Sequence, residues 1–124
     1  MAGVSKGAMG EILAARFLRE KGYTICSSNF RCRLGEIDII AENNDEILFI
    51  EVKTRSTNSF AKPQEYVDIH KQRRILVTAG IYLKYNGYGL QPRFDVAEVY
   101  VDNDGKMNLN YIKNAFGADL LENF

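Results

Sequence analysis

Hydrophobic and polar positions change their period several times along the chain, and each change marks an element. Met9, Ile12, Leu13, Phe17 and Leu18 recur at helical spacing, which predicts a helix from Ser5 to Lys21 with these residues facing the core and Gly22 as the stop. Tyr23 to Phe30 reads as a strand, and Arg31 to Leu34 as a basic connection closed by Gly35. Glu36 to Ala41 and Glu46 to Thr54 are strongly apolar strands separated by the turn Glu42-Asn43-Asn44-Asp45, so they should form a hairpin. A polar loop from Ser56 to Pro63 precedes a long helix, Gln64 to Tyr85, with Leu76, Ala79 and Leu83 among its core positions and Asn86-Gly87 at its end. Strands follow at Arg93 to Val101 and Met107 to Ile112, around the turn Asp102-Asn103-Asp104-Gly105, and Ala115 to Phe124 is a short helix or a frayed tail. The order α-β-β-β-α-β-β predicts one mixed α/β domain over residues 1–124, a mixed central sheet with a helix on each face.

Charges interrupt the two strongest strands. Asp38 lies between isoleucines, and Glu51 and Lys53 flank Val52. With a period of two, Glu51 and Lys53 project from one face together with Phe49, while Leu48, Ile50 and Val52 point the other way. On the neighbouring strand Glu36, Asp38 and Ile40 share a face, with Ile37 and Ile39 opposite. A hairpin turning near Asn43-Asn44 brings Asp38 beside Glu51, where two carboxylates repel unless a cation lies between them. A hard divalent ion meets that need, because Mg²⁺ takes one or two protein carboxylates and completes its shell with water and phosphate oxygens. The competing explanation is an internal ion pair of Asp38 or Glu51 with Lys53, an arrangement whose net stabilisation is poor. A second acid-x-lysine triplet, Asp104-Gly105-Lys106, has no apolar flanks and no partner acid, and is explained by turn geometry.

Composition adds little beyond placing the charge. Sixteen Lys and Arg balance sixteen Asp and Glu, so net charge argues for no partner. Between Lys53 and Arg74, however, Lys53, Arg55, Lys62, Lys71, Arg73 and Arg74 face only Glu65 and Asp68, a local basic stretch that suits phosphates or a solvated helix face. Lys71, Arg74 and Thr78 fall on one helical stripe, while the adjacent His70 has no partner in the sequence pattern and reads as surface or helix packing, not as a ligand. Cys26 and Cys32 form neither a disulfide framework nor a zinc motif and read as reduced thiols. The N-terminal MAGVSKGAMGEI lacks the apolar core of a signal peptide, and no apolar run reaches membrane-spanning length. The expectation is a cytoplasmic protein without a membrane partner. A P-loop glycine run is missing, which argues against nucleotide hydrolysis, and no Ser, Cys or His nucleophilic triad is supported.

Asp38 followed by Glu51-Val52-Lys53 on the next strand resembles the signature of the PD-(D/E)xK nucleases, although Ile37 stands where that motif has proline. A longer string is more specific. Gly10-Glu11 with Ala14, Lys21-Gly22-Tyr23, Asn29-Phe30-Arg31, Gly35 to Ala41, Phe49 to Arg55, Lys71 with Arg74-Ile75, and Arg93-Phe94-Asp95-Val96 together resemble the YraN family, which is similar to archaeal Holliday junction resolvases. The resemblance implies a restriction-endonuclease-like core and a Mg²⁺- or Mn²⁺-dependent endonuclease acting on DNA, with branched or recombination intermediates among its substrates. It implies Asp38 and Glu51 as metal ligands and catalytic acids, Lys53 as the catalytic lysine, and Glu11 as an additional acid on the first helix. Glu11 has Ala14 and Ala15 at its i+3 and i+4 positions, so no helical salt bridge occupies it there. Arg31, Arg55, Lys71 and Arg74 are the candidate nucleic-acid contacts. The resolvases act as dimers, which leaves a homodimer open. The alternative is a non-catalytic nucleic-acid-binding module that keeps the nuclease fold, and behind it a protein-interaction domain with structural charges.

Overall fold

The computed structural model describes residues 5–56, 67–86 and 89–117. Its elements are α1 (Lys6–Glu20), β1 (Thr24–Cys32), β2 (Gly35–Glu42), β3 (Glu46–Ser56), α2 (Ile69–Asn86), β4 (Gln91–Val101) and β5 (Met107–Phe116). The five strands form one sheet in sequence order, antiparallel except for the parallel pair β3–β4. A parallel pair needs a crossover, and α2 lies within it, covering one face of the sheet. α1 covers the other. The predicted order and the helix on each face are both observed.

Each face has its own core. Ile75, Leu76, Ala79 and Tyr82 of α2 bury Ile40, Ile47, Phe49, Phe94 and Val96, with Phe49 stacked on Phe94 at 5.4 Å. On the opposite face Ala14, Ala15 and Leu18 of α1 bury Ile39, Ala41, Leu48, Ile50 and Ala97. Small residues set the approach of α1: a Cβ on Gly10 would stand 2.2 Å from Thr54 Oγ1 and 3.6 Å from Val99 Cβ. The buried side of α1 is therefore Gly10, Ala14, Ala15 and Leu18. Met9 and Ile12, expected in the core, are 43% and 56% exposed. Helical spacing identified an apolar stripe, but the stripe that fits close against the sheet is the one without bulk.

The helix ends follow local hydrogen bonding. Ser5 Oγ accepts the Ala8 N–H at 3.1 Å and caps α1. Asp68 caps α2 by accepting the Lys71 N–H at 3.1 Å, and that bond holds its carboxyl below the usual range. α2 thus starts after Asp68 and not as early as Gln64, because Val67 and Asp68 are not helical; Gln64 itself lies outside the described residues. At the other end of the chain Ala115 and Phe116 belong to β5, where Phe116 stacks on Phe94 at 5.5 Å. Packing of that ring extends the strand beyond Ile112, and residues 118–124 of the expected helix or tail lie outside the described residues.

The β2–β3 hairpin forms as expected. Asn43 Oδ1 closes its turn by accepting the N–H groups of Asp45 and Glu46, at 2.9 and 2.7 Å. The same chemistry explains the Asp104-Gly105-Lys106 turn, where Asp102 Oδ1 accepts from Asp104 and Lys106 and Gly105 has φ +80°.

Candidate active site at a fork in the sheet

β2 and β3 pair from Glu42↔Ile47 to Ile39↔Ile50, and the paired register ends there. The next residues are Asp38 and Glu51. On the far side of β2, Ser28↔Ile39 and Phe30↔Ile37 are paired, while Asn29, opposite Asp38, has φ +56° and is skipped. A left-handed non-glycine residue inside a strand breaks the pleat. The pleat of β2 is broken at the same level. Ile37 packs on the α2 side with Ile40, whereas Ile39 packs on the α1 side. Strict alternation, which places Ile37 with Ile39, fails at this point. Asp38 stands at the break, where β2 leaves β3. Its Oδ2 accepts the Val52 N–H at 2.8 Å, so its carboxylate stands in for a ladder carbonyl.

Glu51 projects from β3 toward α2 and is 4% exposed. Burial, then the charge of Asp38, pushes its carboxyl up to about 7, and the two side chains are hydrogen-bonded to each other. Asp38 is also raised, first by burial, with the Val52 N–H opposing the shift. Adjacent acids that cannot both ionise cheaply are the expected behaviour of a shared carboxylate site. The cation that faces them is Lys71, whose Nζ forms an ion pair with Glu51 Oε1. That pairing and the charges of Asp38 and Glu36 raise the lysine although burial opposes them. The ion pair on Glu51 therefore comes from the first turn of α2.

The other predicted residues are distributed around this fork. Lys53 is half-buried two positions beyond Glu51, in register with Glu98 of β4, and it comes near enough to Asp68 to lower that carboxyl further. Arg55 continues along β3 opposite Tyr100. Glu11 approaches from α1. It accepts from Asn29 Nδ2 at 3.4 Å, and burial together with the charge of Asp38 raises its carboxyl. A groove of about 300 Å³ on the α1 side contains both Glu11 and Asp38. Among the described residues no three acidic, histidine or cysteine side chains close on a common point, and the link of Glu11 to the pair is the charge of Asp38.

A second groove, about 530 Å³, opens on the α2 side between Gly35-Glu36 and the start of α2, and Lys71, Arg74 and His70 line it. A Cβ on Gly35 would stand 3.4 Å from the Arg74 carbonyl oxygen and 2.8 Å from Thr78 Oγ1, so its lack of a side chain lets β2 lie against the helix backbone. Thr78 is fully buried there, which removes it from the proposed phosphate stripe. Arg31 sits on the outer rim, 3.1 Å from Glu36, with both side chains largely exposed.

Three features were not foreseen from the sequence. Lys71 was read as a phosphate contact, and its pairing with Glu51 depends on a helix position that strand patterning does not supply. Glu98 is a further buried acid, held by Tyr100 Oη at 3.0 Å and Asn110 Nδ2 at 3.1 Å. A polar cluster at the opposite end of β3 joins Arg93, Asp95, Glu46 and Tyr111; the alternation of Arg93 and Asp95 along β4 was its signal.

The fold and site define a mixed α/β protein with a paired acidic centre at a strand fork, flanked by a lysine on the central strand and by a groove that Lys71 and Arg74 line together with Glu36 and Asp68. The chain belongs to the Uncharacterised protein family UPF0102, whose match covers residues 10–99, and this is the YraN family of the sequence resemblance. It is 46% identical over 114 residues to a UPF0102 protein of Caldanaerobacter subterraneus subsp. tengcongensis, covering 89% of this chain and 93% of that one. A UPF0102 protein of Clostridium perfringens is 48% identical over 115 residues (90% and 93%), and one of Persephonella marina 44% over 115 residues (92% and 95%). Among the described residues no helix is long and apolar enough to cross a membrane.

The acidic pair gives the metal-free protein a pH signature. The Glu51 carboxyl rises from 4.5 to about 7 on folding, so the folded state binds more protons than the unfolded chain between those values. Stability that is present at low pH is therefore lost as pH rises through this window, by roughly 3 kcal/mol for a buried group. Urea melts in EDTA at pH 5 and pH 8 should show this loss for wild type, and Glu51→Gln should flatten it. A wild-type midpoint that rises from pH 5 to pH 8 would contradict the site as described.

Proposed function

We propose that the chain is a divalent-metal-dependent endonuclease acting on DNA, built on a restriction-endonuclease-like core. The observation that carries this reading is the Asp38–Glu51 pair, side by side and hydrogen-bonded at the fork, with Lys53 next on the face of Glu51. The donor set fits Mg²⁺ or Mn²⁺: two carboxylates offer hard oxygen ligands, and their mutual elevation is relieved by a cation between them. Asp38 and Glu51 would hold the ion, with Glu11 contributing charge from the α1 side. When bound, such an ion supplies charge stabilisation to phosphoryl oxygens and acidifies a water.

The chain's own residues supply the rest. The Val52 N–H fixes the Asp38 carboxylate through Oδ2. Lys53 is placed to orient a phosphate oxygen or the attacking water, a role in which one charged group typically changes the rate by about 10²–10³. Arg74 lines the α2-side groove, Arg31 stands on its rim, and Arg55 extends the basic face along β3. Such contacts position a nucleic-acid backbone without reading sequence. Arg74→Ala should therefore weaken binding about equally across sequences and reduce the salt slope of the binding constant by roughly one. Anisotropy titrations at several salt concentrations, on the inactive Glu51→Gln background, check this. An unchanged slope would place DNA on another face.

The Lys71–Glu51 pair favours a second reading, a non-catalytic nucleic-acid-binding module, because it neutralises the acid without any metal. A cleavage screen with Mg²⁺ or Mn²⁺ over linear, flapped and four-way DNA separates the two. Cleavage that Glu51→Gln abolishes supports the enzyme, and binding without cleavage on every substrate supports the module.

A further inference from the structure

We propose that Lys71 is a built-in counter-ion that holds Glu51 in the metal-free protein, yields it to a divalent cation, and then turns its ammonium to a phosphate in the groove it lines. The inference rests on the metal reading of the Asp38–Glu51 pair and assigns Lys71 a role that the metal reading alone does not contain. The two partners differ sharply in exposure. The Glu51 side chain is 5% exposed and fixed on the central strand, whereas Lys71 is 45% exposed and reaches inward from the rim. The lysine is therefore the mobile member. Its backbone is anchored in the first turn of α2 by the Asp68 cap, so release of the ammonium costs no helix structure.

Charge decides the direction of the exchange. Lys71 brings one positive charge to a site with two carboxylates, so it can match only one of them. A dication matches both carboxylates at once and repels the ammonium beside it. Lysine suits this exchange better than arginine, because its ammonium is a compact point charge on a flexible stem and makes no bidentate clamp on Glu51. Once displaced, the same side chain has a groove to occupy. Arg74 lines that groove one helical turn away, so the two cations would meet a backbone phosphate there together, beside the Glu36 and Asp68 carboxylates. The order this imposes is cation first and polynucleotide second.

Lysine labelling of the wild-type protein reads the exchange without any cleavage assay. Brief treatment with acetic anhydride, followed by peptide mass spectrometry, should show Lys71 several-fold more reactive with saturating Mg²⁺ than in EDTA. Exposed Lys106 on the β4–β5 turn serves as the internal control and should not change. In parallel, Mn²⁺ binding followed by electron paramagnetic resonance should tighten by roughly tenfold in Lys71→Met, as one competing ion pair is removed. If Mn²⁺ binds wild type but Lys71 labelling and Mn²⁺ affinity are both insensitive to the exchange, Lys71 is a fixed structural partner and this proposal fails alone. If neither wild type nor Lys71→Met holds Mn²⁺, the metal reading fails and the exchange with it.

Discussion

Arg93→Ala should destabilise the protein by about 3–5 kcal/mol, the usual result of leaving one member of a buried ion pair unpaired. Asp95 is completely buried, and Arg93 grips it through Nε and Nη2 at 3.0 and 2.9 Å. Arg93 Nη1 meanwhile reaches both oxygens of Glu46, at 3.1 and 3.0 Å. Asp95 also accepts the Tyr111 hydroxyl at 2.6 Å and the Asn114 N–H at 2.8 Å. One side chain thus ties β3, β4 and β5 together at a point where β5 bulges out of register. Burial and the Asp95 carboxylate push the Tyr111 hydroxyl well above its ordinary range, so it stays a donor at any physiological pH. The melting temperature should fall by about 10–20 °C for a domain of this size. Replacing Asp95 by Leu in the same chain should recover part of the loss, because the stranded charge is then gone. A loss below 1 kcal/mol in urea melts of Arg93→Ala would show that the cluster is not a structural clamp.

Lys53→Ala should leave the fold and ion binding intact while lowering DNA cleavage by about 10²–10³-fold, the effect of removing one charged stabiliser of a transition state. Lys53 is half-buried and sits beyond the core residues Ile47 to Ile50 of β3, so truncation opens no core cavity. It is also not one of the two carboxylates that would hold the ion. Single-turnover cleavage, with circular dichroism as the folding control, measures the effect. Equal rates in wild type and Lys53→Ala would assign the chemistry to other residues.

The parts of this structure that were legible in the sequence are those set by short-range patterning. Alternating apolar residues and a short Asn-rich turn were enough to register β2 on β3 and to place Asp38 beside Glu51. Register carries no information about where pairing stops, however. At the fork Asn29 of β1 adopts a left-handed conformation opposite Asp38, and Ile37 changes side there; neither shows in the strand pattern. The same limit applies to α1. Periodicity found an apolar stripe through Met9 and Ile12, but the depth of contact is set by Gly10 against Thr54, a long-range distance. Lys71 illustrates the third case. Its helix stripe was visible, whereas its choice between solvent, phosphate and Glu51 depends on where α2 begins, and Asp68 decides that by capping. Charges inside strands were the strongest signal of chemistry at Asp38 and Glu51. The same signal at Arg93 and Asp95 belongs to a fully satisfied structural cluster, so burial of charge alone does not separate the two.

Calorimetric titration of Mg²⁺ into wild type, Asp38→Asn and Glu51→Gln at pH 8 tests the central claim most directly, because it interrogates the acidic pair without requiring the right substrate. The site described here predicts saturable binding by wild type and a loss of tenfold or more in each variant, on the order of 1.4 kcal/mol. Equal binding by all three proteins, or none by wild type, would contradict it.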